Sequence, residues 1–212
     1  MKLSLGVSAA VLGCAGLAIA GAAQRASRAH RGSAETPAAL APEGPAAAAS
    51  NAGSLYDLDL HLTGADGRPL APERLRGHPV LAGMFFAACP SACPLLIRDL
   101  AQMAAALPAR DRADLRILLV SFDPARDTPA VLADVLRRHD LAPESWLLAA
   151  PPDDDGARLA AAALGIRYRR TADGQFEHTR RVTLLDREGR VRAQSDDPRT
   201  LAAALRALPA AH

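Results

Sequence analysis

The sequence contains few cysteines, almost no lysine and little net charge. Its 212 residues include three cysteines and carry a formal charge of +2, and Lys2 is the only lysine. Three cysteines are too few for a scaffold held together by disulfides. A charge so close to zero excludes the strongly basic footprint of a nucleic-acid-binding protein and implies no acidic partner. Because Cys14 lies in the N-terminal leader, the rest of the chain has a single cysteine pair, Cys89 and Cys93.

The N-terminal part of the chain lacks the pattern of a folded domain. Residues 1–23 combine one basic side chain with a run of Leu, Val, Ala and Gly, which predicts a signal peptide or a membrane anchor. Cys14 follows Val-Leu-Gly, which is similar to a bacterial lipoprotein box, so lipidation and an ordinary signal-peptide cysteine both stay open. Residues 24–53 are rich in Ala, Pro and Gly, which predicts a flexible linker. We therefore expect one folded domain at residues 54–212.

Apolar runs and helical patterns alternate through the predicted domain. Residues 80–86 and 115–122 are short apolar runs that predict buried strands, and residues 56–62 alternate between leucine and polar side chains, which predicts a half-buried strand. Helices are predicted at residues 95–107, 130–139, 153–164 and 198–208. Residues 181–194 predict a hairpin. The whole pattern predicts an α/β, thioredoxin-like fold, in which helices flank a mixed central sheet.

The cysteine pair lies where a predicted strand meets a predicted helix. From Cys89 the sequence reads Cys-Pro-Ser-Ala-Cys-Pro, one residue wider than the Cys-x-x-Cys of redox proteins. Pro94 fits the first turn of a helix, so Cys93 is expected at or near the N-cap, where the helix dipole favours a thiolate. Two thiolates suit Cu(I) or Zn²⁺, and an added imidazole would make a site for either copper state. Two structural cysteines or a plain disulfide are the alternatives.

Four other residues are candidates for this site or for a purely structural role. Asp123 follows a predicted central strand, at the edge where α/β sheets place their sites. We expect it to lie behind the metal ligands, to contact a partner or merely to shape a turn. Asp127 is expected to cap or turn the same loop. On sequence pattern alone, His178 is more often structural, and Met103 lies in an apolar helical stripe that predicts a place in the core.

Three motifs then occur in a characteristic order. Cys-Pro-Ser-Ala-Cys-Pro at residues 89–94 is followed by Ser-Phe-Asp-Pro-Ala-Arg-Asp-Thr-Pro at residues 121–129 and by Phe-Glu-His-Thr at residues 176–179. Through these motifs, residues 56–196 resemble the SCO/SenC family of copper chaperones for cytochrome c oxidase assembly. The resemblance implies a thioredoxin-like fold.

The resemblance also implies a ligand set and a function. The family's two cysteines and one histidine correspond to Cys89, Cys93 and His178, which are expected to bind one copper ion per chain, as Cu(I) or Cu(II). The implied function is delivery of copper to the binuclear copper centre of a cytochrome c oxidase subunit. The implied partners are that subunit, other copper chaperones and, through the N-terminal segment, a membrane.

Two other functions stay open, although a metallochaperone that is not an enzyme is favoured. A thiol–disulfide oxidoreductase would use Cys89 and Cys93 alone, as a redox-active pair that reduces the cysteines of the oxidase centre. A copper or redox sensor would bind the metal without delivering it. Glu177, Arg180 and Arg181 depart from the family pattern around the histidine. These departures leave the ligand set intact and concern the choice of partner.

The predicted location is the periplasmic side of a bacterial membrane, with the chain anchored by an N-terminal helix or a lipid. SCO/SenC proteins are usually held at a membrane by such a segment. Arg25, Arg28 and Arg31 follow the apolar run and, by the positive-inside rule, favour a cytoplasmic domain instead. Export is still favoured, because an oxidising compartment that contains copper suits the predicted site.

Overall fold

The computed structural model describes residues 53–209. In chain order the elements are β1 (Thr63–Gly64), β2 (Val80–Phe85), α1 (Ala92–Ala105), α2 (Ala109–Asp114), β3 (Arg116–Ser121), α3 (Pro129–Arg138), β4 (Trp146–Ala150), α4 (Asp154–Ala163), β5 (Tyr168–Arg170), β6 (Phe176–His178), β7 (Val182–Leu185), β8 (Val191–Ser195) and α5 (Ala202–Arg206). Short 3-10 helices cover Leu55–Asp57, Pro72–Leu75 and Pro198–Leu201. The predicted leader with Cys14, and nearly all of the predicted linker, lie outside the described residues.

Six of these strands form one mixed sheet in the order β1-β4-β3-β2-β7-β8. β2, β3 and β4 run parallel, whereas β1, β7 and β8 run antiparallel to their neighbours. β2 and β3 are apolar and almost completely buried, as expected for parallel strands that are covered on both faces. α3 packs against β4, and α4 packs against β3. The predicted α/β class, with a mixed central sheet flanked by helices, is confirmed.

β5 and β6 form a second, two-stranded antiparallel sheet. Tyr168 pairs with His178, and Arg170 pairs with Phe176. Gly174 lies in the turn between the strands with a φ of +77°, a conformation that glycine adopts at little cost. The candidate histidine therefore lies on a hairpin that is separate from the main sheet.

One predicted strand is wrong and one helix was not predicted. Residues 56–62 make a 3-10 turn and then run on irregularly, and the first strand is Thr63–Gly64. The alternation is correct for burial, since Leu60 and Leu62 are buried while His61 is exposed, but this segment forms no ladder with a neighbouring strand. α2 was not predicted because none of its six residues is buried, so its sequence lacks an apolar period.

The predicted helix after the cysteines is confirmed and begins earlier than expected, at Ala92. Its apolar stripe is buried, including Leu96, Leu100 and Met103, so Met103 is a core residue as predicted. Among residues 53–209, none of the helices has both the length and the apolar character needed to cross a lipid bilayer.

Candidate metal centre

The strand β2 and the helix α1 place the two cysteines on one turn. β2 ends at Phe85 and α1 begins at Ala92, so Cys93 lies in the first helical turn, close to the predicted N-cap. Both cysteines are free thiols. The backbone N–H of Cys93 donates to the Sγ of Cys89 at 3.2 Å. The structure therefore brings the two cysteines together without a disulfide.

The two thiols differ in burial. Cys93 is 2% exposed, whereas Cys89 is partly exposed. Burial raises the pKa of the Cys93 thiol, and the negative charges of Cys89 and Asp127 act in the same direction. Burial thus opposes the Cys93 thiolate that was expected here, and it outweighs the backbone hydrogen bond at Phe86 that lowers the pKa. The N–H of Cys93, at the start of the helix, is donated to the Sγ of Cys89.

His178 is the last residue of β6 and is oriented by its own backbone neighbour. Its Nδ1 lies 3.1 Å from the carbonyl oxygen of Thr179. A carbonyl only accepts hydrogen bonds, so Nδ1 carries the proton and Nε2 has a free lone pair. Burial lowers the pKa of His178 and outweighs the hydrogen bond to Thr179, which raises it, and the positive charge of Arg180 also lowers it. The imidazole is therefore held neutral, which is the form that binds metals.

The structure does not bring all three predicted ligands into contact. Within residues 53–209, no three His, Cys, Asp or Glu side chains are close enough together to hold a metal ion. Aromatic rings connect the histidine to the cysteine turn: Phe122 lies 4.8 Å from the His178 ring and 5.9 Å from Phe176, and Phe176 lies 5.1 Å from Phe86. Phe86 accepts a backbone hydrogen bond from Cys89 at 3.2 Å. The sequence pattern predicts buried strands that contain Phe86 and Phe122, but it does not predict that these rings link the histidine to the cysteine turn.

Asp127 does not cap α3, although it does take part in the turn after β3, where its N–H donates to the Asp123 carbonyl. The residue that caps α3 is Thr128, whose Oγ1 accepts from the N–H of Val131 at 3.4 Å. Asp127 is 1% exposed, and its carboxylate accepts from the N–H of Ala87, at the start of the cysteine turn, and from the Oγ of Ser121. Burial raises the pKa of this carboxyl group. A capping aspartate and a buried one that bonds a distant turn look alike in sequence, so this contact could not be predicted.

Asp123 is completely buried at the end of β3. Its carboxylate accepts from Nε of Arg126 and, at 3.5 Å, from Nη2 of Arg170. The two guanidinium groups are its charged partners, and Arg170 belongs to the hairpin that carries His178. Complete burial leaves no surface of Asp123 for a partner, and its carbonyl also accepts the N–H groups of Arg126 and Asp127 in the turn.

The residues that depart from the family pattern all make ion pairs. Arg180 pairs with Asp99 of α1 at 3.0 Å, and Arg181 pairs with Asp196 at 3.4 Å. Glu177 pairs with Arg169 across the hairpin at 2.5 Å. The Arg180–Asp99 pair joins the end of the hairpin to the helix that carries Cys93.

Comparison with known proteins identifies the family. A model of the SCO1/SenC family matches residues 48–210. This chain belongs to the SCO1/SenC family. The match contains the cysteine turn, the loop after β3 and the hairpin, so all three motifs of the sequence resemblance lie inside it.

Similar proteins include copper-binding members of the SCO1/SenC family. A protein of Stutzerimonas stutzeri, provisionally named as copper-binding, is 26% identical over 154 residues, which cover 71% of this chain and 74% of that protein. The structure of Bradyrhizobium japonicum ScoI with copper bound is 25% identical, has a TM-score of 0.57, and is matched over 69% of this chain and 95% of that one. A SCO1/SenC family lipoprotein of Bacillus anthracis has the same fold, with a TM-score of 0.63 at 20% identity over 70% of this chain and 91% of that one.

Proposed function

We propose that this SCO1/SenC protein binds one copper ion through Cys89, Cys93 and His178 and delivers it to the binuclear copper centre of a cytochrome c oxidase subunit. The observation that carries the proposal is the pair of free thiols, held side by side on the turn between β2 and α1. The similar ScoI structure contains copper, which supports the same cargo here. Copper is the substrate of this function, because the protein receives it and passes it on.

The donor set suits copper in both oxidation states. Thiolates are soft ligands that bind Cu(I), and imidazole is a good ligand for copper. His178 can offer Nε2 because Nδ1–H is engaged by the Thr179 carbonyl. Two thiolates, a neutral imidazole and Cu(I) give a net charge of −1, and the positive charge of Arg180, which acts on His178, would offset part of it.

The unequal burial of the two cysteines favours one order in which the partner would replace them as copper ligands. Cys89 is partly exposed, whereas Cys93 is 2% exposed. A thiolate of the oxidase subunit would therefore replace Cys89 first. The raised pKa of Cys93 then favours release, because its freed thiolate readily takes up a proton.

A second candidate function is reduction of the oxidase cysteines, and the free thiols favour it. The Cys89 thiolate would attack the partner's disulfide, forming a mixed disulfide and releasing one partner thiolate. Cys93 would pass its proton to that thiolate and displace the second sulfur. The products are a Cys89–Cys93 disulfide and a reduced partner, so two electrons pass from this chain to the oxidase subunit.

The two functions can be separated in cells through His178, because disulfide exchange does not need an imidazole. Cells that carry His178→Ala or Cys89→Ser would be assayed for copper in the oxidase, and the purified full-length variants for disulfide reduction. If the function is copper delivery, the oxidase should lack copper in cells that carry either variant. Purified His178→Ala protein should still reduce disulfides. The control is His61→Ala, an exposed histidine that pairs with Asp59. If the oxidase contains its normal copper in cells with His178→Ala but lacks copper in cells with Cys89→Ser, the function is instead that of a reductase.

The proposed location is the periplasmic side of a bacterial membrane, with residues 1–23 or a lipid on Cys14 as the anchor and residues 24–53 as a tether. A reporter fused after His212 should be active only in the periplasm. Labelling with a lipid precursor that disappears in Cys14→Ser would identify a lipoprotein. Reporter activity in the cytoplasm would contradict the proposed location and support the positive-inside interpretation of the leader.

A further inference from the structure

The proposed copper ligands are carried by two sheets that share no hydrogen-bonded strands. Cys89 and Cys93 follow β2 of the main sheet, whereas His178 ends β6, which pairs with β5. The chain after His178 leads into β7, which pairs with β2, and hydrogen bonds made by side chains add further links between the hairpin and the cysteine turn. Two buried carboxylates in the loop between β3 and α3 each contact one of these two segments.

Asp127 holds the cysteine turn. Its Oδ2 accepts from the N–H of Ala87 at 3.1 Å and from the Oγ of Ser121 at 2.5 Å. Ala87 lies two residues before Cys89, and Ser121 is the last residue of β3. The carboxylate thus ties the start of the cysteine turn to the end of the neighbouring strand, in a place that is closed to solvent.

Asp123 holds the histidine hairpin. It accepts from Arg170 of β5 and from Arg126, and Nη2 of Arg126 also donates to the Gly174 carbonyl in the hairpin turn at 2.7 Å. The Arg170 guanidinium lies over the Phe176 ring, 4.7 Å from its centroid. Both arginines therefore connect a fully buried carboxylate to the hairpin.

The loop holds its two carboxylates in a fixed relation. Ser121 Oγ accepts from the N–H of Asp123 at 2.8 Å while it donates to Asp127. The N–H of Asp127 donates to the Asp123 carbonyl at 2.9 Å. The position of the hairpin relative to the cysteine turn is thus linked to one hydrogen-bonded loop, beside the separate Arg180–Asp99 pair.

We propose that Asp123 and Asp127 are positioning residues of the copper site: Asp127 sets the cysteine turn, and Asp123, through Arg126 and Arg170, sets the hairpin that carries His178. This inference deepens the proposed copper function and rests on it. It also gives a role to the motif at residues 121–129, which supplies no proposed ligand.

Replacing each aspartate by asparagine keeps its shape and removes its charge. Because outer-shell changes typically cost about 10- to 100-fold in metal affinity, Asp123→Asn should weaken Cu(II) binding at least about tenfold and should weaken Cu(I) binding by less. Asp127→Asn should weaken the binding of both states. The matched control is Asp134→Asn on the exposed face of α3, where the carboxylate pairs with Arg137 and Arg138. It should bind copper as the unaltered protein does.

A double-mutant cycle on the full-length protein distinguishes positioning from general damage. In a His178→Ala background, Asp123→Asn should cause no further loss of Cu(II) affinity and no further change in the Cu(II) spectrum. Asp127→Asn should keep its full effect in that background. Equal effects of Asp123→Asn with and without His178 would overturn the proposal, because independent sites contribute additively.

Amide hydrogen exchange tests the same assignment without copper. Asp123→Asn should speed exchange at Thr179 and Gly174 of the hairpin segment, and Asp127→Asn should speed it at Ala87. If the protein shows this pattern but fails to bind copper, the proposed function is wrong and the positioning roles stand. If neither variant changes exchange at its own segment, or if both change it everywhere, the positioning roles are wrong.

A second variant covers the case in which Asp123→Asn reduces the yield of folded protein. Arg126 is 44% exposed, so Arg126→Gln breaks the same link from its solvent side. It should reproduce the selective loss of Cu(II) affinity and the faster exchange at Gly174. Unchanged Cu(II) affinity in folded Arg126→Gln protein would contradict the assigned role of Asp123.

Discussion

The cysteine turn continues directly from the middle of the main sheet, whereas the histidine hairpin packs beside that sheet. β2 pairs with β3 over six residue pairs and with β7 over three, and all six of its residues are buried. The hairpin has three residue pairs of its own. Local opening costs least where few backbone hydrogen bonds and little buried surface oppose it. The core thus holds the cysteines, while side-chain contacts hold the histidine.

This difference bears on how the proposed site would treat the two copper states. Sulfur ligands that are fixed to the core are available to either state. The imidazole depends on a hairpin that is attached by aromatic contacts and by arginine side chains. In the proposed function, retention of Cu(II) is therefore the property that should respond most to changes in the hairpin.

The largest expected effect is on the cysteine side of the comparison. Cys89→Ser or Cys93→Ser in the full-length protein should abolish binding of one copper per chain, because each change removes a soft ligand. The measurement is copper titration of the reduced protein. His61→Ala is the control, since it removes an exposed imidazole that pairs with Asp59 and is not a proposed ligand. Unchanged stoichiometry in either site variant would refute the proposed centre.

The next effect is on the histidine side. His178→Ala should lower Cu(II) affinity by more than the roughly 10- to 100-fold that is typical of outer-shell changes, and Cu(I) affinity by less, because two thiolates still coordinate Cu(I). Competition titrations with chelators for each state would measure both constants, with His61→Ala as the control. Equal losses of Cu(II) and Cu(I) affinity would show that the imidazole does not favour either copper state.

A third experiment measures the comparison directly in the unaltered protein. Hydrogen exchange at Thr179, which follows the hairpin, should be at least about tenfold faster than at Val120 of β3, because fewer backbone bonds protect the hairpin. The N–H of Thr179 donates to the Arg167 carbonyl, and Val120 is paired on both sides, with Met84 of β2 and Ala149 of β4, so the contrast reports local opening. Equal protection would mean that the hairpin and the sheet open as one unit, and the comparison would fail.

The smallest effect is a dependence of stability on pH. The pKa of His178 is lower in the folded protein than its ordinary value of about 6.5, so the unfolded chain binds more protons below that pH. The neutral imidazole's contribution is complete above about pH 6.5 and is lost as the pH falls through the folded-state pKa. Urea unfolding at pH 7.5 and 5.5 should show a larger loss for the unaltered protein than for His178→Gln. Equal losses would show that His178 titrates normally in the fold.

The parts of this structure that were predictable are those that local pattern controls. Continuous apolar runs identified β2 and β3, and Pro94 placed the start of a helix next to Cys93. Local pattern failed at residues 56–62, where alternating burial occurs without a strand. It also failed at α2, which buries no side chain. The period of the hydrophobic pattern predicts which side chains face the core. It does not predict whether the backbone pairs with a neighbouring strand.

The residues of the candidate site also differ in whether local sequence could predict their roles. The thiols were identifiable from the short Cys-Pro-Ser-Ala-Cys-Pro sequence, because both belong to one turn. The role of Asp127 depends on Ala87, 40 residues earlier in the chain, and that of Asp123 depends on Arg170, 47 residues later. The local hydrophobic pattern carries no information about such distant pairs. It therefore predicted only a cap or a turn for Asp127 and no role for Arg126 and Arg170.

By itself, the sequence predicted the kinds of proposed ligand, their order and the turn that joins the two cysteines. Only the tertiary structure decided that Cys93 is the buried thiol, that the histidine lies on a separate hairpin, and that two buried carboxylates hold these segments. The physical reason is that residue types fix chemistry locally, whereas burial and long-range hydrogen bonds depend on the order in which strands pair. That order places the loop after β3 next to both the cysteine turn and the hairpin.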